Sequence, residues 1–514
     1  MLCCPRSEPE RLRTLRYPMH NGTLLAAVDL GSNSFRLEIG RFEHGHIQRV
    51  EYLKETVRQG NGLDENRNLT QEAMERGWAC LARFAERLAG FPREHVRAVA
   101  TQTLREARNR EEFLTRGSAL LGYPIDVVSG VEEARLIYQG VAHMLPQSDE
   151  RRLVVDIGGR STEFILGQQF SANAVASYRV GSVAWSSRYF PDGAFTPQAF
   201  LAAEIAAKAV MDEALSVFQR NAWEVAYGSS GTAGAVGDIL TAMGGPKGLI
   251  TRAGLNALYE KLLRAQSADR VRMEGLKEDR RAVIGGGISV LRAVFDLLEI
   301  EEMQVAQGAL RQGALYDLLD REQPETDLRT ATVNALMQRF AVDTAHAERV
   351  AATACALFRQ AAAPGSERAE RKLEWAAKLH EVGCRISHSD YHRHGAYILD
   401  NTDAAGFALP ELHRLGILVL GQRGKVRKLE WLLASPRYAG DGPILSMGGV
   451  GSHHLLALAL YLREQGREAH ALTFDQVLTP HVRATLAGLA STGARVWSVR
   501  TRIGLPWAGL GYYL

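Results

Sequence analysis

The 514-residue sequence predicts a layered α/β protein built from a duplicated unit. The duplication is the first observation: residues 26–40 (AAVDLGSNSFRLEIG) lie on residues 153–167 (LVVDIGGRSTEFILG) after a shift of 127 positions. Asp29 then meets Asp156, Gly31 meets Gly158, Ser34 meets Ser161 and Gly40 meets Gly167; such internal repeats define architecture. The second is the alternation of apolar strand runs with helical runs from Leu24 to about Leu319, the pattern of an α/β layer fold. The third is a set of glycine-bearing turns behind strands, at residues 28–34, 129–133, 155–163 and 228–232.

Each repeat reads as an apolar strand, a tight loop and an alternating strand. Loop N–H groups freed by Gly and Ser can converge on an anion. The strand-end aspartate can hold a hard cation that travels with phosphate. Two such hairpins facing one another would clamp a phosphate chain.

Between the repeats, helices are expected over 71–89, 102–108 and 132–144, with strands at RAVAT and PIDVV. Arg105 follows RAVAT; an arginine there suits a bound phosphate and equally suits an exposed helix start. In SGVEEARLIYQG, Ser129 with Glu132 three positions on forms a capping box, giving Glu132 a structural task. Glu133 is left over, on the helical face of Ile137, Val141 and Met144. It is either a surface group favoured by the helix dipole or a placed base. Its location beside a strand end, between the two loops, favours the base.

In the second half, strand WEVAY enters GSSGT and a helix, a geometry that puts N–H donors around an anion. Residues 284–287 (IGGG) open another helix, and QVAQGALRQGALYDLL runs from strand into helix. From about Asp320 the sequence turns helical and charged. His380, His388, His392 and His394 invite a metal reading, yet no histidine lies at i+4 of His380 to complete a zinc pair. Structural or surface histidines are expected there.

The totals fit a globular protein of three or four domains. A net charge of +3 is too small to argue a nucleic-acid partner. Arginine-rich positive charge suits bidentate contact with phosphate. Five cysteines, Cys3, Cys4, Cys80, Cys355 and Cys384, form no CxxC pair and suggest a reducing, cytoplasmic setting. No apolar run reaches the ~20 residues of a membrane span. Residues 1–18 read as a disordered lead.

Several stretches together resemble the exopolyphosphatase/guanosine pentaphosphate phosphatase family, part of the actin-like (ribonuclease-H-like) ATPase superfamily. They are AAVDLGSNSF, TQTLREARN, SGVEEARLIYQGV, LVVDIGGRSTEFILG, YGSSGTAGAV and QGALRQGALYDLL, followed by WAAKLHEVG and HRHGAYILDNTDAAGF of the helical HD-related domain of longer members. The resemblance covers residues 24–419. It implies actin-like domains at 19–145 and 146–319 and an HD-related domain at 320–420. It implies magnesium-dependent hydrolysis of the terminal phosphoanhydride of inorganic polyphosphate or guanosine pentaphosphate. A homodimer and peripheral membrane contact are further expectations.

Carried over residue by residue, Glu133 matches the family's general base, and Asp156 and Glu163 the acidic pair near the metal. Asn33, Ser34, Arg105, Gly158, Gly159, Ser161, Ser230, Gly231 and Thr232 match phosphate-holding positions. There are departures. Arg160 replaces a third loop glycine; at positive φ it would cost about 1 kcal/mol or more, or its side chain could add a phosphate ligand. Gly234 replaces a common lysine, and Gln312 an acidic residue. A catalytically impaired polyphosphate- or nucleotide-binding protein is therefore the rival reading.

After Val419 the pattern changes. GKVRKLEWLL and ILSMGGVGSHHLLALALYLREQG resemble the small domain of pyridoxal-phosphate enzymes of the D-cysteine desulfhydrase/aminocyclopropane-carboxylate deaminase type. Lys425 matches their Schiff-base lysine, and Ser452 and His453 their substrate loop. Without the large domain Lys425 has no cofactor to hold, so residues 421–514 are expected to be a foreign α/β tail that compromises processivity on long polyphosphate.

Overall fold

The computed structural model describes residues 20–321, 327–361, 367–421, 444–449, 453–464, 467–474 and 479–499. Two compact units divide it: residues up to Arg339 with Leu399–Arg414, and Phe340–Ile398 with Leu415–Leu514.

The first unit contains two sheets with one plan. Strands β1 (Leu24–Leu30), β2 (Ser34–Glu43), β3 (His46–Thr56), β4 (Val96–Ala100) and β5 (Ile125–Val127) lie in the order β3-β2-β1-β4-β5. Strands β6 (Arg151–Ile157), β7 (Thr162–Gln168), β8 (Ser171–Tyr178), β9 (Val225–Ser229), β10 (Leu249–Thr251) and β11 (Glu302–Val305) lie in the order β10-β11-β9-β6-β7-β8. In each, an antiparallel three-strand meander is extended by two parallel strands, and in the second an antiparallel β10 closes the far edge. These are two copies of one α/β plan, as the internal repeat predicts. Even the irregularities repeat, with register shifts at Ile39/Gly40 and at Leu166/Gly167. At the second shift Gly167 leaves room for the Tyr138 ring.

The meander's third strand was not legible. HIQRVEYLKET carries four charged residues among eleven because β3 is an edge strand with mostly exposed side chains, which charge protects from edge pairing.

The helices that close the two domains are exchanged. Gly130–Met144 follows the first sheet, yet Leu136, Ile137, Tyr138 and Val141 pack on Val154, Ile165 and Tyr227 of the second. Leu310–Arg321 follows the second sheet, yet Ala314, Leu315, Leu318 and Leu319 pack on Leu25, Ala27 and Phe42 of the first. The two helices meet backbone to backbone. A Cβ at Gly313 would overlap the Leu136 carbonyl, one at Gly140 the Ala309 carbonyl, and one at Gly308 the Gly140 carbonyl.

Ser129 caps the helix Gly130–Met144 by accepting from the Glu132 N–H at 3.1 Å. The expected reciprocal half of the capping box is replaced by another arrangement. The fully buried Glu132 carboxylate takes two bonds from Arg135 at 2.8 Å and one from the Gly406 N–H at 2.7 Å. Residues 399–414 thus reach back into the α/β unit. Leu328–Arg339 belongs to it as well, held by a buried set in which Arg329 bonds Asp327 and Glu411. This compact unit thus extends to Arg339.

The second unit contains the helices Thr344–Ala361 and Glu367–Lys378. It also contains a parallel sheet, β12 (Ile444–Gly449), β13 (Ala469–Phe474) and β14 (Arg495–Val499), in that order. Helices His453–Glu464 and Pro480–Ser491 connect its strands. This is the short α/β tail expected. Among the described residues no helix is long and apolar enough to cross a membrane.

Candidate active site

A polar cavity lies where the two repeated loops face each other. Its walls include Asp29, Ser32, Asn33, Ser34, Arg36, Glu133, Asp156, Gly158, Gly159, Ser161, Ser230, Gly231, Arg280 and Arg311. The loops nearly touch: a Cβ at Gly159 would lie 3.0 Å from the Ser32 Cβ.

The second loop is turned tightly, the Gly158 N–H donating to the Ser161 carbonyl at 2.9 Å. The Gly158 and Gly159 carbonyls accept from Ser182, Val183 and Ala184 N–H groups at 2.8–3.0 Å. Those oxygens are thereby spent on the helix Ser182–Tyr189 rather than facing an anion. Ser230 starts the helix Ser230–Ala242 with φ 69°, a left-handed backbone that costs a non-glycine residue about 1 kcal/mol. Its hydroxyl and that of Thr232 both donate to the Ile157 carbonyl at 2.9 Å, tying this third loop to the end of β6. A side chain at Gly231 would overlap the Arg280 guanidinium.

Glu133 sits in the first turn of its helix. Arg105 Nη1 donates to Glu133 Oε2 at 2.7 Å and to the Val128 carbonyl at 2.9 Å. Burial pushes the Glu133 carboxyl up, Arg105 holds it down, and Asp156 and Asp29 push it up further. Burial likewise raises Asp156, against the Ser229 and Ser230 hydroxyls. Glu163 lies well above the usual carboxylate range because of burial and then Glu133 and Asp156.

The two strand-end aspartates have diverged. Asp29 is shared by Arg36 at 3.3 Å and Arg311 at 3.4 Å, so it is already neutralised. Asp156 instead faces Glu163 across the ladder. Ser177 donates to Glu163 Oε1 at 2.8 Å, while its Oε2, like Asn33 Nδ2 and Ser34 Oγ, is buried with no hydrogen-bond partner among the described residues. The Asp156 and Glu163 carboxylates, with one Glu163 oxygen unmet, offer the acidic oxygen ligands that fit a hard divalent cation.

Of the phosphate-holding positions expected from sequence, Asn33, Ser34, Gly158, Gly159, Ser161, Ser230 and Gly231 line this cavity. Thr232 lines a small adjoining one with Arg280. Arg105 is engaged with Glu133. Arg160 takes neither expected role: it is not among the residues with positive φ, and its guanidinium bonds Glu106 and the Gly60 carbonyl. Gln312 has a fitting place, donating to both Glu38 oxygens at 2.7 Å. A Cβ at Gly234 meets open space. Lys425 and Ser452 lie outside the described residues.

Sequence reasoning missed Arg36 and Arg280. Arg36 was detectable as a charge beside the first loop, at the position that Glu163 holds in the second repeat. Arg280 precedes the glycine-opened helix Ile284–Leu297 in a short charged stretch with no periodicity. Among the described residues the Arg280 guanidinium has no hydrogen bond or ion pair, and burial and Arg36 hold its pKa down. In the second unit, the partner missing for His380 comes from another helix. Ligand atoms of His346, His380 and Glu381 lie within 4.8 Å of one another.

Comparison with known proteins agrees with this geometry. The model of the Ppx/GppA phosphatase family matches residues 39–322, and that of Ppx/GppA phosphatase, domain III, matches residues 328–473, running past residue 420. A guanosine-5'-triphosphate,3'-diphosphate pyrophosphatase of Vibrio atlanticus is 42% identical over 409 residues, covering 79% of this chain and 82% of that one. The like-named protein of Photobacterium profundum is 39% identical over 408 residues, covering 79% and 82%. Among solved structures, an exopolyphosphatase-like protein is 26% identical with a TM-score of 0.52, covering 57% of this chain and 97% of that one. An exopolyphosphatase from Cytophaga hutchinsonii shares the fold at 24% identity and a TM-score of 0.52, covering 58% and 98%. The chain belongs to the Ppx/GppA phosphatase family.

Proposed function

We propose that the chain hydrolyses the terminal phosphoanhydride of a phosphate chain, guanosine-5'-triphosphate,3'-diphosphate first and inorganic polyphosphate second. The observation that carries this reading is a buried glutamate, Glu133, set in an arginine- and glycine-lined cavity between two repeated loops. The order of substrates rests on the names of relatives about 40% identical across 79% of the chain.

Asn33, Ser34, Ser161 and the glycine loops hold the terminal phosphate, with Arg36, Arg280 and Arg311 offsetting its charge. Glu133 accepts the proton of the attacking water; burial makes it a stronger base than an exposed glutamate. Asp156 and Glu163 would hold Mg2+, which supplies charge stabilisation for the phosphoryl oxygens. Arg105 bonds Glu133 through one nitrogen and fixes the carboxylate's orientation. Positioning and electrostatics carry most of the acceleration in phosphoryl transfer.

Orthophosphate release from both substrates, with and without Mg2+, tests this reading. No release from either one under metal would overturn it and favour the impaired, binding-only alternative.

A further inference from the structure

Arg160 stands in the loop between β6 and β7, in the second domain, and its side chain crosses the cleft. Nε and Nη2 donate to Glu106 Oε2 at 3.1 and 2.9 Å, and Nη1 donates to the Gly60 carbonyl at 3.1 Å. Glu106 and Gly60 both belong to the first domain. The other Glu106 oxygen accepts from Gln102 Nε2 at 2.7 Å. Gln102 Oε1 in turn accepts from Arg105 Nε at 3.0 Å and Nη2 at 2.6 Å. Arg105 Nη1 ends the series on Glu133 Oε2 at 2.7 Å.

The series has one polarity. Glu106, as a carboxylate, can only accept and Arg105 can only donate, so the Gln102 amide has a single satisfying orientation. All four side chains between solvent and the base are then fixed by their neighbours. Arg160 is the outermost, and three of its donors are spent on the first domain rather than on the cavity.

We propose that Arg160 is a positioning residue for Glu133, acting through Glu106, Gln102 and Arg105 while it ties the second domain's loop to the first. The proposal rests on the reading of Glu133 as the base. Loss of Arg160 frees Glu106, loosens the Gln102 amide and lets Arg105 leave the orientation that aims Glu133. A misplaced base lowers the chemical step, whereas loss of a phosphate ligand would weaken binding.

The test compares Arg160→Ala, Arg160→Lys, Glu106→Ala and the double variant Arg160→Ala/Glu106→Ala in the full chain. Phosphate release is resolved into kcat and KM, and hydrogen exchange is followed over residues 101–108. Arg160→Ala is expected to lower kcat about tenfold with KM changed less than about threefold. Arg160→Lys, which restores the charge on a single nitrogen without the planar fork, recovers part of the loss. The double variant is no worse than the worse single one, because both act on one series. Exchange over 101–108 rises in Arg160→Ala. An effect confined to KM, multiplicative losses in the double variant, or unchanged kcat would each overturn the proposal. If the wild-type chain releases no phosphate, the functional reading falls, and hydrogen exchange alone decides the linkage: unchanged protection then refutes it. Should Arg160→Ala fail to fold, Arg160→Lys carries the same comparisons.

Discussion

Arg36 and Glu163 occupy the same place in the two repeats, each directly across the ladder from the strand-end aspartate. One copy therefore answers its aspartate with a cation and the other with a second acid. This asymmetry makes the two copies of the hairpin different, with Asp29 neutralised by arginines and Asp156 paired with a second acid, the pair that the proposed reading assigns to Mg2+.

Glu133→Gln keeps the shape and removes the proposed base. Turnover is expected to fall at least ~100-fold while substrate still binds. Phosphate-release kinetics beside equilibrium binding check this, and retained turnover would remove Glu133 from its assigned role.

Arg280→Ala removes a guanidinium that has no partner among the described residues and lies over Gly231. On the proposed reading its charge would act on the phosphate chain in ground and transition states alike. KM is expected to rise about tenfold or more, with kcat changed less. Steady-state kinetics on both substrates would reveal the opposite split.

Gly313→Ala drives a methyl group into the Leu136 carbonyl across the exchanged helices. Overpacking of this kind costs on the order of 2 kcal/mol. Since Leu136 and Glu133 share one helix, kcat should fall along with the urea midpoint. An unchanged midpoint would show that the helices can separate freely.

Asp320 gives a pH signature. Burial raises its carboxyl from 3.8 to about 6, against Arg135 and Gln139. Because the folded-state value lies above the unfolded one, protonation favours the folded state, and that contribution is lost as pH climbs from about 4 through about 6. Asp320→Asn should therefore stabilise the protein by on the order of 1 kcal/mol at pH 8 and by little near pH 4. Melting curves at the two values check the sign.

What the sequence made legible was local and repeated. The Asp29 and Asp156 loops announce themselves through matching Gly, Ser and Asp, and Ser129 through its spacing from Glu132. The edge strand β3 escaped because its exposed residues carry no apolar alternation. Glu132's true partners escaped because Gly406 lies 274 positions along the chain. Arg160 looked like an intruder in a glycine loop; only the structure supplies Glu106 as its counterpart. Periodicity reports which face is buried, but not which distant segment buries it.

The exchange of closing helices reaches beyond the active site. A fragment ending near residue 145 would hold its own sheet but lack the cover for Leu25, Ala27 and Phe42, while the complementary fragment would leave Val154 and Ile165 bare. Neither half is a self-sufficient folding piece, although sequence repetition makes each look like one. Dissected apart, they should be insoluble singly and recover only when made together.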